Sequence, residues 1–178
     1  MTRGREVAAQ FVDAVAVARM AAEFFAGRLA AAEIRPSRER AKDSARKAAA
    51  AEKGDGLALS RRLEEACDAA WRAVEETARF EAADKRFLPM AEELAAAVER
   101  LKDAYGADGD EAVAAVVEAK RRALEIERMH RAVRKTSHED PKFVDGLKNG
   151  AVGQRLSAAA EGVQAACDVL SECLGGAA

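Results

Sequence analysis

The sequence predicts an all-α protein, an antiparallel six-helix bundle forming a single domain over residues 1–178. Three observations carry this. Asp, Glu, Lys and Arg make up 34% of the 178 residues, about a quarter are Ala, and aromatics are only 4%, a composition typical of long helices. Ile appears twice and Thr three times, so the β-branched and aromatic residues that strands need are scarce. Apolar residues recur at three- and four-residue steps along most of the chain, the period of a helix face. The composition argues against a sheet-based enzyme core. So much Ala makes thin core layers, and helices must approach closely to exclude water.

The first helix is expected over about residues 5–34, where Val7, Phe11, Val15, Ala18, Ala22, Phe25, Leu29 and Ala32 form one stripe. Pro36 is expected to break it, with Ser37 as N-cap of a second helix running to about Lys53, ended by Gly54 and Gly56. A third helix carries Leu59, Leu63, Ala66, Cys67, Ala70, Val74 and Ala78 on one face and extends to about Asp84. Pro89 suits the first turn of a fourth, which buries Leu94, Ala97, Val98 and Leu101 before the turn at Gly106 to Gly109. The fifth, from about Asp110 to Lys135, presents Val113, Val116, Val117, Ala123 and Leu124, and becomes strongly basic. After a polar loop containing His138, the sixth spans about Ala151 to Leu174 on Val152, Leu156, Ala159, Val163, Ala166, Cys167 and Leu170, and Gly175 and Gly176 end it. Short connections favour antiparallel neighbours. The order of helices repeats, which suggests two three-helix units, over about residues 5–84 and 86–174.

A formal charge of −2 from 29 basic and 31 acidic residues argues against a dedicated nucleic-acid binder. The start of the chain lacks the apolar run of a signal peptide, and Asp13, Arg19, Glu23 and Arg28 interrupt its most apolar stretch, so a cytoplasmic protein without a transmembrane segment is expected. Cys67, Cys167 and Cys173 form no C-x-x-C pair and read as reduced, packed thiols. Trp71 and Tyr105 read as packing residues with the polar atom at the rim.

Two carboxylate pairs stand out, Glu39 with Asp43 and Glu64 with Asp68, each four residues apart. That spacing sets like charges about 5–6 Å apart at Cβ, at a cost of a few tenths of a kcal/mol unless a cation intervenes. Iron or another divalent metal would supply that cation. Arg40, Arg46, Arg61 and Arg72 are the competing neutralisers. Glu127 and His130 have the Glu-x-x-His spacing of di-iron bundles, but the chain offers no second copy: Lys135, not Glu, precedes His138 by three. Two basic runs, Arg35 to Lys47 and Lys120 to Lys135, read as solvated helix faces, or as surfaces for phosphate or an anionic membrane. Neither interleaves the aromatics that base stacking needs. No Gly-rich phosphate loop or Gly-x-Ser-x-Gly occurs.

The segment Arg38-Glu-Arg-Ala-Lys-Asp-Ser-Ala-Arg-Lys47 resembles the second helix of PhoU-type phosphate-uptake regulators and of the related accessory proteins of Pit-type phosphate transporters. In that family a Glu-x-x-x-Asp precedes a Leu-Asp-Asp-x-x-Asp motif; the corresponding stretch here is Leu63-Glu-Glu-Ala-Cys-Asp68. The last helix, from Leu156 to Leu170, is similar to the family's closing Leu-Glu-x-x-x-Asp-x-Cys pattern, with Ser157 in place of the first acid and Glu161 kept. The resemblance implies two three-helix repeats, frequent oligomerisation, and metal, iron among others, at Glu39, Asp43, Glu64 and Asp68. It implies no second cluster, because Glu125 is followed by Met129 and Glu127 by Arg131. The expected function is regulation or support of phosphate transport by protein association, with a transporter or sensor kinase as partner and peripheral contact with the membrane allowed. The competing expectations are a metal-dependent bundle enzyme or iron-handling protein, and a plain helical scaffold.

Overall fold

The structure, a computed structural model, describes residues 4–80, 85–136 and 143–175. The chain forms α1 (Arg5–Phe25), α2 (Ala31–Ala51), α3 (Gly54–Phe80), α4 (Leu88–Gly106), α5 (Gly109–Thr136) and α6 (Phe143–Gly175), with a 3-10 turn at Lys85–Phe87 leading into α4. Among the described residues there is no strand. The all-helical expectation therefore holds. Of the expected loop at 136–141, Thr136 is the last residue of α5; its remainder with His138, the last turn assigned to the third helix at 81–84, and Gly176 lie outside the described residues.

Three boundaries differ from expectation. The break between the first two helices falls at Gly27, not Pro36. Gly27 takes a left-handed φ of 74°, its N–H donates to the Phe24 carbonyl and the Arg28 N–H to that of Glu23, the paired bonds of a Schellman terminus. Pro36 instead lies inside α2, where its missing N–H leaves the Ala32 carbonyl without the usual donor. The helix starts ahead of it because the Glu33 carboxylate accepts the Ala30 N–H at 2.7 Å, half of a capping box. Ser37 is consequently a buried helix residue rather than a cap, donating to Met20 Sδ at 3.1 Å. Gly56 lies within α3. Finally, α6 begins two turns before Ala151 and runs through Gly146 and Gly150. Tertiary contacts hold this glycine-bearing start: Asn149 is buried and Lys148 Nζ lies 5.8 Å from the centre of the Phe80 ring.

The first three helices pack on one another, as do the last three, and the two groups meet where α3 lies on α6 and α1 on α4. Directions follow from which residues meet. Asp13 meets Ser44 and Met20 meets Ser37 across α1 and α2; Arg155 meets Glu76 and Gly162 meets Ala66 across α3 and α6. One number rises as the other falls, so these neighbours are antiparallel. A continuous cluster of buried side chains draws on all six helices, including Phe11, Ala48, Leu63, Leu94, Ile126 and Leu156. A smaller one, Ala21, Ile34, Trp71 and Val74, sits under the α1–α2 turn. No described helix is long and apolar enough to cross a membrane.

Helices α3 and α6 approach closely at Gly162. A Cβ placed on Gly162 would sit 3.0 Å from both Cβ and the backbone N of Ala66, where there is backbone rather than a yielding side chain. Gly150, in the same helix, faces open space. In urea denaturation, Gly162→Val is expected to lower unfolding free energy by about 1–3 kcal/mol through overpacking. Gly150→Ala is expected to raise it by roughly 0.5–1 kcal/mol, since only the glycine's backbone entropy is removed.

Candidate functional site

Helix α2 turns a mostly Ala face to its neighbours, with Ile34, Arg38, Ala41, Ala45 and Ala48 all buried. Arg38 occupies an apolar register position, and this places a guanidinium inside the protein. Its side chain is 2% exposed, and Nη2 lies 2.5 Å from Asp68 Oδ1 on α3. Arg72, one turn on from Asp68, takes the other oxygen at 2.8 Å. Burial pushes the Asp68 carboxyl up, but the hydrogen bond and charge of Arg38, with the charges of Arg72 and Lys42, outweigh it and hold the group below the ordinary carboxylate range. Arg38 Nε and Nη1 are buried and have no hydrogen-bond partner in the protein. Buried donors left unmade cost about 1–3 kcal/mol each, and more when charged.

Above this pair is an open cleft of about 500 Å³, lined by Arg38 and Lys42 of α2, by a face of α3 from Arg61 to Arg72, and by Arg155 of α6. The α3 residues Arg61, Glu64, Glu65, Asp68 and Arg72 recur at three- and four-residue steps, which puts them on one helix face. Glu65 is answered by Arg62 at 2.8 Å and Arg155 by Glu76 at 2.9 Å, while Lys42 stands 3.7 Å from Glu39. Arg61 and Glu64 form no ion pair among the described residues.

The structure brings together two of the four carboxylates expected to hold metal. Glu64 and Asp68 line the cleft. Glu39 and Asp43 do not; their side chains are 63% and 51% exposed. Asp43 is held below the usual carboxylate range by the hydrogen bond and charge of Lys47, at 2.9 Å, with Arg46 at 3.3 Å. Both Asp68 oxygens and both Asp43 oxygens thus face side-chain cations. Among the described residues no group of three or more His, Cys, Asp or Glu side chains is arranged to hold a metal ion. Asp43 and Asp68 are each paired with two side-chain cations, whereas Glu39 lies 3.7 Å from Lys42. Of the expected neutralisers, Arg46 and Arg72 pair as anticipated. Arg40 donates to Ser37 Oγ at 2.8 Å instead.

The second acidic candidate is also split. Glu127 accepts from the Gln164 amide, whereas His130 lines a separate cavity of about 760 Å³ between α5 and α6, with Arg134, Gln154, Ser157 and Glu161. Burial, then Arg134, push the His130 imidazole below its usual range against the opposing pull of Glu161, and its Nε2 is buried without a partner. The basic face of α5 is mostly paired. Lys120 meets Asp168 at 2.5 Å. Arg121 and Arg122 meet Glu118, whose carboxyl is held down to about 2, chiefly by the Arg121 hydrogen bond. The three cysteines are free thiols, with Cys67 and Cys167 pushed up to about 12 by burial.

Sequence reasoning missed Arg38 as the partner of Asp68 and missed Arg155 in the cleft. For Arg38 a signal existed: an arginine in the 34, 38, 41, 45, 48 stripe is a charge in a core register. Compared with protein-family models, curated proteins and solved structures, the chain matches none.

Asp68→Asn leaves the Arg38 charge without its carboxylate, and at neutral pH should cost roughly 1–3 kcal/mol of stability. The folded-state pKa of Asp68 is depressed, so its contribution is complete above the unfolded value of about 4 and is lost as pH falls through the folded value. Urea titrations from pH 7 to pH 3 are therefore expected to show the wild type and the variant converging at the acid end.

Proposed function

We propose that this protein works by association rather than turnover, as a regulator or accessory protein of phosphate transport whose partner is a phosphate transporter or sensor kinase. One observation carries the reading. The two segments that resemble the phosphate-uptake regulators, Arg38 to Lys47 and Leu63 to Asp68, lie on helices that pack together and meet at the Arg38–Asp68 pair. Around that pair lies an open, mixed-charge cleft of the kind that gives polar specificity at a protein surface. In this reading the two groups of three helices are two copies of one unit, the second with its acids lost, and the chain acts in the cytoplasm, alone or as a homo-oligomer.

The test is co-purification with a co-expressed phosphate permease. Tagged wild-type chain should retain the permease, and the charge reversal Arg61→Glu with Arg72→Glu should reduce its recovery about tenfold, the equivalent of roughly 1.4 kcal/mol. Equal recovery with both chains, or none with either, removes the reading. Metal is settled separately, by elemental analysis of purified protein. Iron bound to the wild type and absent from Glu64→Ala with Asp68→Ala would establish the carboxylate centre; no iron in either, with the fold unchanged, would remove it and leave the association reading standing.

A further inference from the structure

We propose that the α2–α3 cleft is a receptor for a protonated oxyanion, the phosphate group, held by Arg38, Lys42 and Arg61 and read by Glu64. This rests on the cleft alone and does not need the association reading.

The first ground is the floor of the cleft. Arg38 is 2% exposed and lines the cavity, yet only its Nη2 has a partner; Nε and Nη1 are buried without one. A guanidinium carries five N–H donors and no acceptor, so what it lacks is an oxygen. Phosphate oxygens match that fork of donors.

The second ground is what stands beside it. Only residues 52–53 separate α2 from α3, a connection short enough to make them antiparallel. With Arg38 opposite Asp68, the next turn of α2, at Lys42, faces the preceding turn of α3, at Glu64. Arg61, three residues before Glu64, completes the group, and all four line the cavity. Lys42 is weakly engaged, 3.7 Å from Glu39, and Arg61 has no ion-pair partner among the described residues. These cations are available to a ligand, unlike the mostly paired basic face of α5.

Glu64 sets the chemistry of the anion. A carboxylate repels an oxyanion that has no proton, but accepts a hydrogen bond from one that keeps a P–OH. Phosphate keeps such a proton near neutral pH and sulfate does not. An unpaired acid among cations therefore selects phosphate. The cavity, at about 500 Å³, exceeds a single ion several-fold when one water takes about 30 Å³, leaving room for the body of a phosphomonoester.

Isothermal calorimetry on the purified full chain tests this with inorganic phosphate, sulfate and glycerophosphate. The wild type should bind phosphate at least about tenfold more tightly than sulfate, Arg61→Gln should weaken phosphate about tenfold or more, and Glu64→Gln should bring sulfate within about threefold of phosphate. Both replaced residues are exposed, and circular dichroism confirms that the variants remain helical. Free phosphate binding as tightly as the ester marks the ion as the ligand; a tighter ester marks a phosphomonoester. Either outcome supports the receptor. No binding of phosphate or ester, sulfate binding as tightly as phosphate, or an unchanged affinity in Arg61→Gln overturns it. Because no partner protein is present, such a failure leaves the association reading to its own test.

Discussion

The contact on which the rest of this bundle depends is the approach of Gly162 to the backbone of Ala66. A chain with so few large apolar residues cannot fill wide gaps between helices, so stability must come from bringing backbones close and covering them with small side chains. At α3 and α6 a Cβ on Gly162 would come within 3.0 Å of the Ala66 backbone. The same approach sets the register of α3, and thus where Asp68 stands to receive Arg38 from α2 and where Arg155 crosses from α6 to Glu76. The cleft is a consequence of that seam.

Charge is arranged with comparable economy. Exposed pairs one turn apart, such as Arg62 with Glu65 and Arg128 with Glu125, contribute little individually because water and salt screen them. Arg38 with Asp68 is different, because one member is buried and its desolvation is met by a single carboxylate. A pair of this kind is weak evidence of stabilisation and stronger evidence of specificity. It holds α2 in one orientation on α3 and leaves hydrogen-bonding capacity unspent at the base of a cavity.

Much of the fold was legible from spacing alone. The stripes Leu59, Leu63, Ala66, Ala70 and Leu156, Ala159, Val163, Ala166 are buried as their period requires, and Pro89 falls in the first turn of α4. Punctuation was less legible. Pro36 was the expected break and the first helix was expected to run through Gly27, but the hydrogen bonds made around each decided that Gly27 ends it. The site was half legible: Glu64 and Asp68 do face a shared cleft, but the four-residue spacing that flagged Glu39 with Asp43 says nothing of the long-range cation that reaches a carboxylate. Thirty residues separate Arg38 from Asp68, and a helical period carries no information over that span.

The smaller cluster under the α1–α2 turn has a practical meaning. Trp71 is the chain's one tryptophan, and it is packed with Ile34 of α2 and Ala21 of α1, one residue before the Arg72 that pairs with Asp68. The one tyrosine, Tyr105 of α4, packs its ring at a tilt against Phe11 of α1 with its hydroxyl donating to the Gly4 carbonyl. Indole and phenol emission therefore view different seams. The native chain carries its own optical probe of whether α2 is seated, separate from whether the α1–α4 face has closed.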